Sequence, residues 1–287
     1  MSATDPNPLH PQDVPVFSGV ARAFKSVLSR PLVLTKLALV PVLASLVLLW
    51  AYQMTPSLAF GAEILLLSLL SLPCAYLGLA WLRHSMLGGN AGLLLKAPWV
   101  PSYGRALAYC FLCFLWFVAA PLLAAGGANG LTGFARLDAA GQTDSAGLVF
   151  LAFLSLTLLG LYVTGRLFLA VPAFTAGLSA SPRAAWHLSE GQGSRLFFAV
   201  FVLVLALLIV SVFAVLGVGS IRATITVILG YPVDRLRDVT LIPTVGQTAA
   251  LFTLLFGTAV FAEFLAIAFR RITGWSGPRD DILERFE

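Results

Sequence analysis

Long uncharged stretches alternate with short polar ones along this chain. Positions 37–62, 64–82, 106–135, 145–165, 196–221 and 239–262 contain no Asp, Glu, Lys or Arg. Each holds roughly the 20 apolar residues that a helix needs to cross a ~30 Å hydrocarbon core. Inside hydrocarbon the backbone must satisfy its own hydrogen bonds, and no two-residue alternation marks barrel strands. The pattern predicts an all-α, polytopic integral membrane protein with six transmembrane helices, near 37–57, 64–83, 106–125, 147–168, 196–219 and 247–269.

Two segments between or before these runs have a different grammar. After Asp13, Val14 and Pro15, the residues Phe17, Val20, Phe24, Val27 and Leu28 recur at helical spacing, while Arg22, Lys25 and Arg30 fall elsewhere around the turn. This predicts an amphipathic interfacial helix capped by Asp13, its apolar stripe among acyl chains and its cations among lipid headgroups. The stretch "SPRAAWHLSEGQGSRLFF" (181–198) repeats the design. Ser181 and Pro182 read as a helix start, Ala184, Ala185 and Leu188 as a short apolar face, and Trp186 as an interfacial anchor. Gly191 and Gly193 fall where the chain turns from the membrane plane into the next span. Arg22, Lys25, Arg30, Arg183 and Arg195 are therefore candidate headgroup contacts. Residues 1–13 read as a mobile tail, 14–272 as the six-helix domain and 273–287 as a charged cytoplasmic tail.

Composition agrees. The chain is 59% hydrophobic and 11% charged, whereas soluble proteins carry about 25% charged residues to cover a water-facing surface. The net charge of +5 invites a nucleic-acid reading, but the positions of the cations argue against it. Of the 18 Lys and Arg, only Arg136, Arg222, Arg235 and Arg237 fall on one side of the predicted spans. The positive-inside rule then places both termini on the cytoplasmic side of the membrane. The first 36 residues, which include Asp5, Asp13 and several prolines, are too mixed for a cleavable leader, so the first span reads as a retained anchor. Membrane phospholipids are the expected partners and a protein partner in the membrane is left open; no nucleic acid is expected.

Candidate chemistry is sparse. Cys110 and Cys113 have the spacing of redox and metal sites, but they lie in an apolar run without a neighbouring cation or further ligands, and read as buried structural thiols. His10, His84 and His187 are scattered, and no nucleophile–base–acid arrangement assembles. No catalytic residue, metal or cofactor is expected. Arg166 and Glu263 stand out because each sits within or at the edge of an apolar span, where a charge costs about 2.5–3.5 kcal/mol on insertion scales. They are candidates for an intramembrane polar pair joining the fourth and sixth spans; the blander alternative has Arg166 reaching the surface and Glu263 buried structurally. The fourth span either continues past Arg166 or breaks at Pro172. Pro41, Pro73 and Pro121 also fall inside spans, as in the broken helices of transporters, though membrane helices tolerate proline.

The stretch "GRLFLAVPAFTAGLSASPRAAWHLSEGQGSRLFFAVFVLVLALLIV" and the N-terminal "VARAFKSVLSRP" carry a resemblance. With Arg166 after the fourth span, Pro172 following it, and the Arg183–Trp186 turn trailing through Leu188 and Gly191 to Phe197, the chain resembles small bacterial six-span proteins. These are the membrane domain found beside glycerophosphoryl diester phosphodiesterases and the YciC-type inner-membrane proteins. His187 and Glu190 stand where the family pattern has an arginine and a small or hydroxyl residue. The resemblance implies a fold rather than an activity, since phosphodiester chemistry in those enzymes belongs to a separate soluble barrel. The expected role is non-enzymatic: structural, accessory or lipid-interacting. The alternative is a transporter or permease for a small or lipidic substrate.

Overall fold

The computed structural model describes residues 13–53, 60–87, 155, 158–175, 182–229 and 245–275. Among them the chain is helical apart from short turns, and no strand occurs. The elements are α1 (Val16–Leu28), α2 (Pro31–Gln53), α3 (Phe60–Leu87), α4 (158–167), α5 (Ala170–Thr175), α6 (Pro182–Leu188), α7 (Gly193–Leu229) and α8 (Val245–Thr273).

Among the described residues, four stretches are long and apolar enough to cross a membrane: Pro31–Ala51, Leu158–Thr175, Gly193–Ala214 and Leu251–Thr273. They fall on the predicted spans near 37–57, 147–168, 196–219 and 247–269. The span predicted near 64–83 lies within the helix α3. The one predicted near 106–125 lies outside the described residues, as do Cys110, Cys113, the tail at 1–12 and residues 276–287. At about 1.5 Å per residue, the 37 residues of α7 run well past the thickness of a hydrocarbon core.

Burial sorts these helices. Over an apolar window of 18 residues, 72% of positions are buried in Leu251–Thr273 and 67% in Leu158–Thr175, against 17% in Pro31–Ala51 and 22% in Gly193–Ala214. Thus α8 is the central element, packed against α1, α2, α3, α5 and α7, while α2 and α7 form the outer wall. Leu39, Leu43 and Val47 on α2, and Leu208, Ile209, Val212 and Phe213 on α7, are exposed. Small residues bring the central helices close, as dispersion-driven packing in lipid requires. A Cβ at Gly78 of α3 would stand 3.3 Å from Thr258 Cγ2 on α8.

Helix α1 departs from the expectation. Its Gly19, Val20, Ala23 and Val27 are buried against protein rather than set among acyl chains. Gly19 faces the Phe264 ring, and the Phe24 ring lies 5.9 Å from that of Phe256. Phe17 and Leu28, at 75% and 65% exposure, are the apolar residues of the stripe left outside. The two small residues at helical spacing explain the difference, because they open a flat face for α8 to occupy. Nor does Asp13 cap α1: the cap position is Pro15, and no side chain bonds there.

The fourth span is interrupted at Phe168–Leu169, between α4 and α5. Proline has no N–H for the carbonyl four residues earlier, so Pro172 removes the bond that Phe168 would accept. The Phe168 carbonyl takes the N–H of Val171 instead, at 3.0 Å, and Pro172 sits in the first turn of the new helix, where it is tolerated. Every residue of α5 is buried, against α3 and α8. In contrast, α2 and α3 run through Pro41 and Pro73 without a break.

Candidate functional site

The polar groups that stay inside this apolar bundle define the regions where chemistry or recognition can occur. Arg166, near the end of α4, is only 7% exposed. Its Nε donates to Ser189 Oγ at 2.7 Å, Nη1 to Tyr162 Oη at 3.2 Å and Nη2 to the Trp186 carbonyl at 2.8 Å. The guanidinium plane also covers the Trp186 ring, 3.7 Å from its centroid, with Tyr162 at 5.7 Å. Ser189 Oγ in turn donates to the Trp186 carbonyl at 2.8 Å. A planar fork that satisfies three acceptors while stacking on an aromatic face is what arginine, and not lysine, provides.

Two glycines make this arrangement possible. Gly191 has φ +76°, the left-handed conformation that turns the chain between α6 and α7, and a side chain there would be strained. Gly193 opens α7 directly beneath Arg166; a Cβ would come within 2.9 Å of Tyr162 Oη and 3.3 Å of Arg166 Cδ.

The same turn holds the N-terminal segment. Arg195 Nη1 pairs with Asp13 Oδ2 at 2.5 Å, Gln192 Nε2 donates to Asp13 Oδ1 at 3.0 Å, and the Val14 N–H donates to Gln192 Oε1 at 3.3 Å. The Arg195 guanidinium first, and the Gln192 amide second, hold the Asp13 carboxyl below its ordinary pKa. Arg195, expected at lipid headgroups, is instead engaged with this carboxylate. Trp186, expected as an interfacial anchor, is stacked under Arg166. Arg22, Lys25, Arg30 and Arg183 are exposed, and His187 and Glu190 form an exposed contact at 3.6 Å.

Glu263, 6% exposed on α8, accepts a 2.9 Å hydrogen bond from Trp81 Nε1 on α3. The structure does not bring Glu263 and Arg166 together: each is bonded to its own, separate partners. Around Glu263 lie His84, whose ring is 6.0 Å from that of Trp81, and Arg270, whose Nη2 donates to the Ser85 carbonyl at the end of α3.

A cavity of about 320 Å³ separates α7 from α8, lined by Phe168, Leu203, Leu207, Thr253, Gly257 and Phe261 among others. Its wall is almost wholly apolar. The buried Thr253 hydroxyl has no hydrogen-bond partner among the described residues. Among the described residues no group of three or more His, Cys, Asp or Glu is placed to hold a metal ion.

Of the partners found here, only Tyr162 carried a sequence signal, its spacing of four residues from Arg166 on one helix face. Trp81, Ser189 and Gln192 reach their partners across the fold. Comparison with protein-family models, with curated proteins and with solved structures yields no match.

Proposed function

We propose that this chain is a non-enzymatic integral membrane protein of the bacterial inner membrane, with both termini cytoplasmic and a structural, accessory or lipid-interacting role. The observation that carries the reading is the exposed apolar wall of α2 and α7, with Leu39, Leu43, Leu208, Ile209 and Phe213 open to the surroundings. Such a surface is stable in hydrocarbon and a liability in water. At its edges the exposed cations Arg22, Lys25, Arg30 and Arg183 fit anionic headgroups, each worth about 1 kcal/mol near such a surface. The resemblance to the phosphodiesterase-associated membrane domain and YciC-type proteins agrees with this role. Buried polar groups support it too: the partners of Arg166 and Glu263 are other side chains and backbone, an arrangement that braces helices.

The test is native mass spectrometry of the chain extracted in mild detergent, read for co-purifying phospholipid and protein. Retained anionic phospholipid supports the reading; a chain that stays monodisperse without detergent and carries no lipid overturns it. Labelling of single cysteines at both ends from each side of the membrane tests the orientation. A second reading, movement of a lipidic substrate, is favoured by the apolar cavity between α7 and α8. Substrate-dependent exchange of lipid between leaflets of reconstituted vesicles would select it.

A further inference from the structure

We infer that the slot between α7 and α8 binds one acyl chain of a membrane phospholipid, its ester at Thr253 and Ser211 and its tail against Phe168 and Phe261. The inference rests on the lipid-interacting reading and names both the place and the part of the lipid.

The slot is long and thin. Val200, Leu203, Leu207 and Ser211 line it on α7, and Thr253, Gly257 and Phe261 on α8. The wall from Val200 to Ser211 is about 16 Å long at 1.5 Å per residue, while the volume is about 320 Å³. A helix of ~10 Å diameter over that length would occupy on the order of 1,000 Å³. No further helix, of this chain or another, seats there; an unbranched hydrocarbon chain does. The slot is also continuous with the exposed apolar wall, since Leu208 both lines it and is 58% exposed.

Its two ends differ. A Cβ at Gly165 would stand 3.5 Å from Val200 Cγ2, and the ring of nearby Phe168 meets that of Phe261 edge-on at 4.8 Å. The first turns of α7 are thus level with Phe261. Further along α7, Leu207 faces Gly257, where a Cβ would come within 2.8 Å of Leu207 Cδ1. The two helices therefore run antiparallel. Ser211 is one turn beyond Leu207 and Thr253 one turn before Gly257, so both hydroxyls fall at the same end. Thr253 stands near the start of the apolar stretch Leu251–Thr273, and Ser211 near the end of Gly193–Ala214. That is the depth at which acyl esters meet hydrocarbon.

An acyl chain gains no hydrophobic free energy by leaving the bilayer for this slot, because lipid tails are as apolar as leucine. It gains dispersion contacts with walls that otherwise face a gap. The ester adds an acceptor for the Thr253 hydroxyl, which is buried without a partner among the described residues and costly to leave so. An apolar pocket with a few convergent polar groups at one end is the usual form of a small-molecule site.

The experiment uses the full chain, delipidated in detergent and mixed with a phosphatidylcholine that carries a diazirine halfway along one acyl chain. After illumination, adducts are mapped by peptide mass spectrometry. Labelling at the slot positions of α7 and α8 should saturate and fall at least about tenfold under excess unlabelled lipid, whereas labelling at Leu39 and Leu43 of α2 should not. Val204 lines the slot, so V204F should abolish the saturable adduct. V212F adds the same ring at a residue of the outer wall that is 58% exposed and should leave it intact. T253V keeps the volume, removes the hydroxyl and should weaken binding about three- to tenfold, which guards against a folding defect in V204F. Saturable labelling unchanged in V204F and T253V, or absent from a wild type that still co-purifies with phospholipid, would overturn the slot and spare the lipid-interacting reading. Absence of both adduct and co-purifying phospholipid would sink both. A disulfide from S211C to Cys110 or Cys113, or to a second copy, with no lipid adduct, would give the slot to protein and overturn the proposal.

Discussion

The guanidinium carbon of Arg166 stands 3.7 Å from the centre of the Trp186 ring, although the two residues are 20 positions apart in the chain. This contact joins the end of α4 to the short helix before α7, and both hydrogen-bonding and stacking depend on the flat fork of arginine. Arg166→Lys keeps the charge and loses the plane. It should cost roughly 2–3 kcal/mol, because Ser189 and Trp186 lose charge-assisted bonds in a buried setting. The check is the thermal unfolding midpoint in detergent, followed by tryptophan fluorescence. A midpoint equal to wild type would mean that the stack contributes nothing.

Gly193 and Tyr162 supply a second test of the same region. Gly193→Ala places a methyl 2.9 Å from Tyr162 Oη, which forces the ring aside and disturbs the bond it accepts from Arg166. The expected cost is about 1–2 kcal/mol, in the range of overpacked sites. If the clash with the hydroxyl is the cause, Tyr162→Phe should relieve part of it, so that the double variant is more stable than the sum of the singles predicts. Gly191→Ala should cost a similar amount for a different reason, its φ of +76°, and should not be relieved by Tyr162→Phe.

These two residues also show what could be read from the chain alone. The helices were legible because uncharged runs of this length have one way to satisfy their backbone in hydrocarbon. The interruption before Pro172 was one of two outcomes the sequence left open, the other being a span that continues past Arg166, because proline withdraws one bond but membrane helices often tolerate the loss. The partner of Arg166 was not legible. A buried arginine advertises that it needs acceptors, yet Glu263 was an attractive guess only because it carries the opposite charge. The acceptors used are a hydroxyl, a phenol and a carbonyl, types that occur everywhere in the sequence. Likewise Asp13 had the look of a helix cap, and only the packing of α1 on α7 delivers it to Arg195. Gly19 and Ala23 held the hint, since a flat patch on a helix otherwise suited to lipid announces a protein neighbour.

The Asp13–Arg195 pair gives the attachment of α1 a pH dependence. The Asp13 carboxyl is held below its ordinary value of 3.8, first by Arg195 and then by Gln192. A depressed carboxylate contributes to the docked form above its ordinary pKa and loses that contribution as pH falls through the depressed one. Docking of α1 should therefore be constant near neutrality and weaken only below about pH 4. Spin labels at Ser18 and Ser194, both exposed, report the separation of α1 from α7. The distance distribution should broaden in acid for the wild type and be broad at neutral pH in Asp13→Asn. Since the pair is exposed, high salt should have the same direction of effect. A distribution that ignores acid, salt and Asp13→Asn alike would show that apolar packing alone holds the helix.

Trp81 and Glu263 offer the sharpest measure of how the core tolerates a carboxylate. Trp81 is fully buried and its Nε1 donates to Glu263 Oε2 at 2.9 Å, linking α3 to the central helix. Trp81→Phe removes the donor while retaining most of the aromatic volume, and leaves a buried acceptor without its partner. Such a loss costs about 1–3 kcal/mol. Glu263→Gln removes the charge but keeps an acceptor oxygen, so it should be milder. Glu263→Leu removes the polar group altogether, and in that background Trp81→Phe should cost less than it does alone. The double-mutant cycle of Trp81→Phe with Glu263→Leu, read from unfolding midpoints in detergent, should show a coupling of at least about 1 kcal/mol. Additive losses would mean that the carboxylate is satisfied from elsewhere, by His84 or Arg270, and that the tryptophan is present for its ring alone.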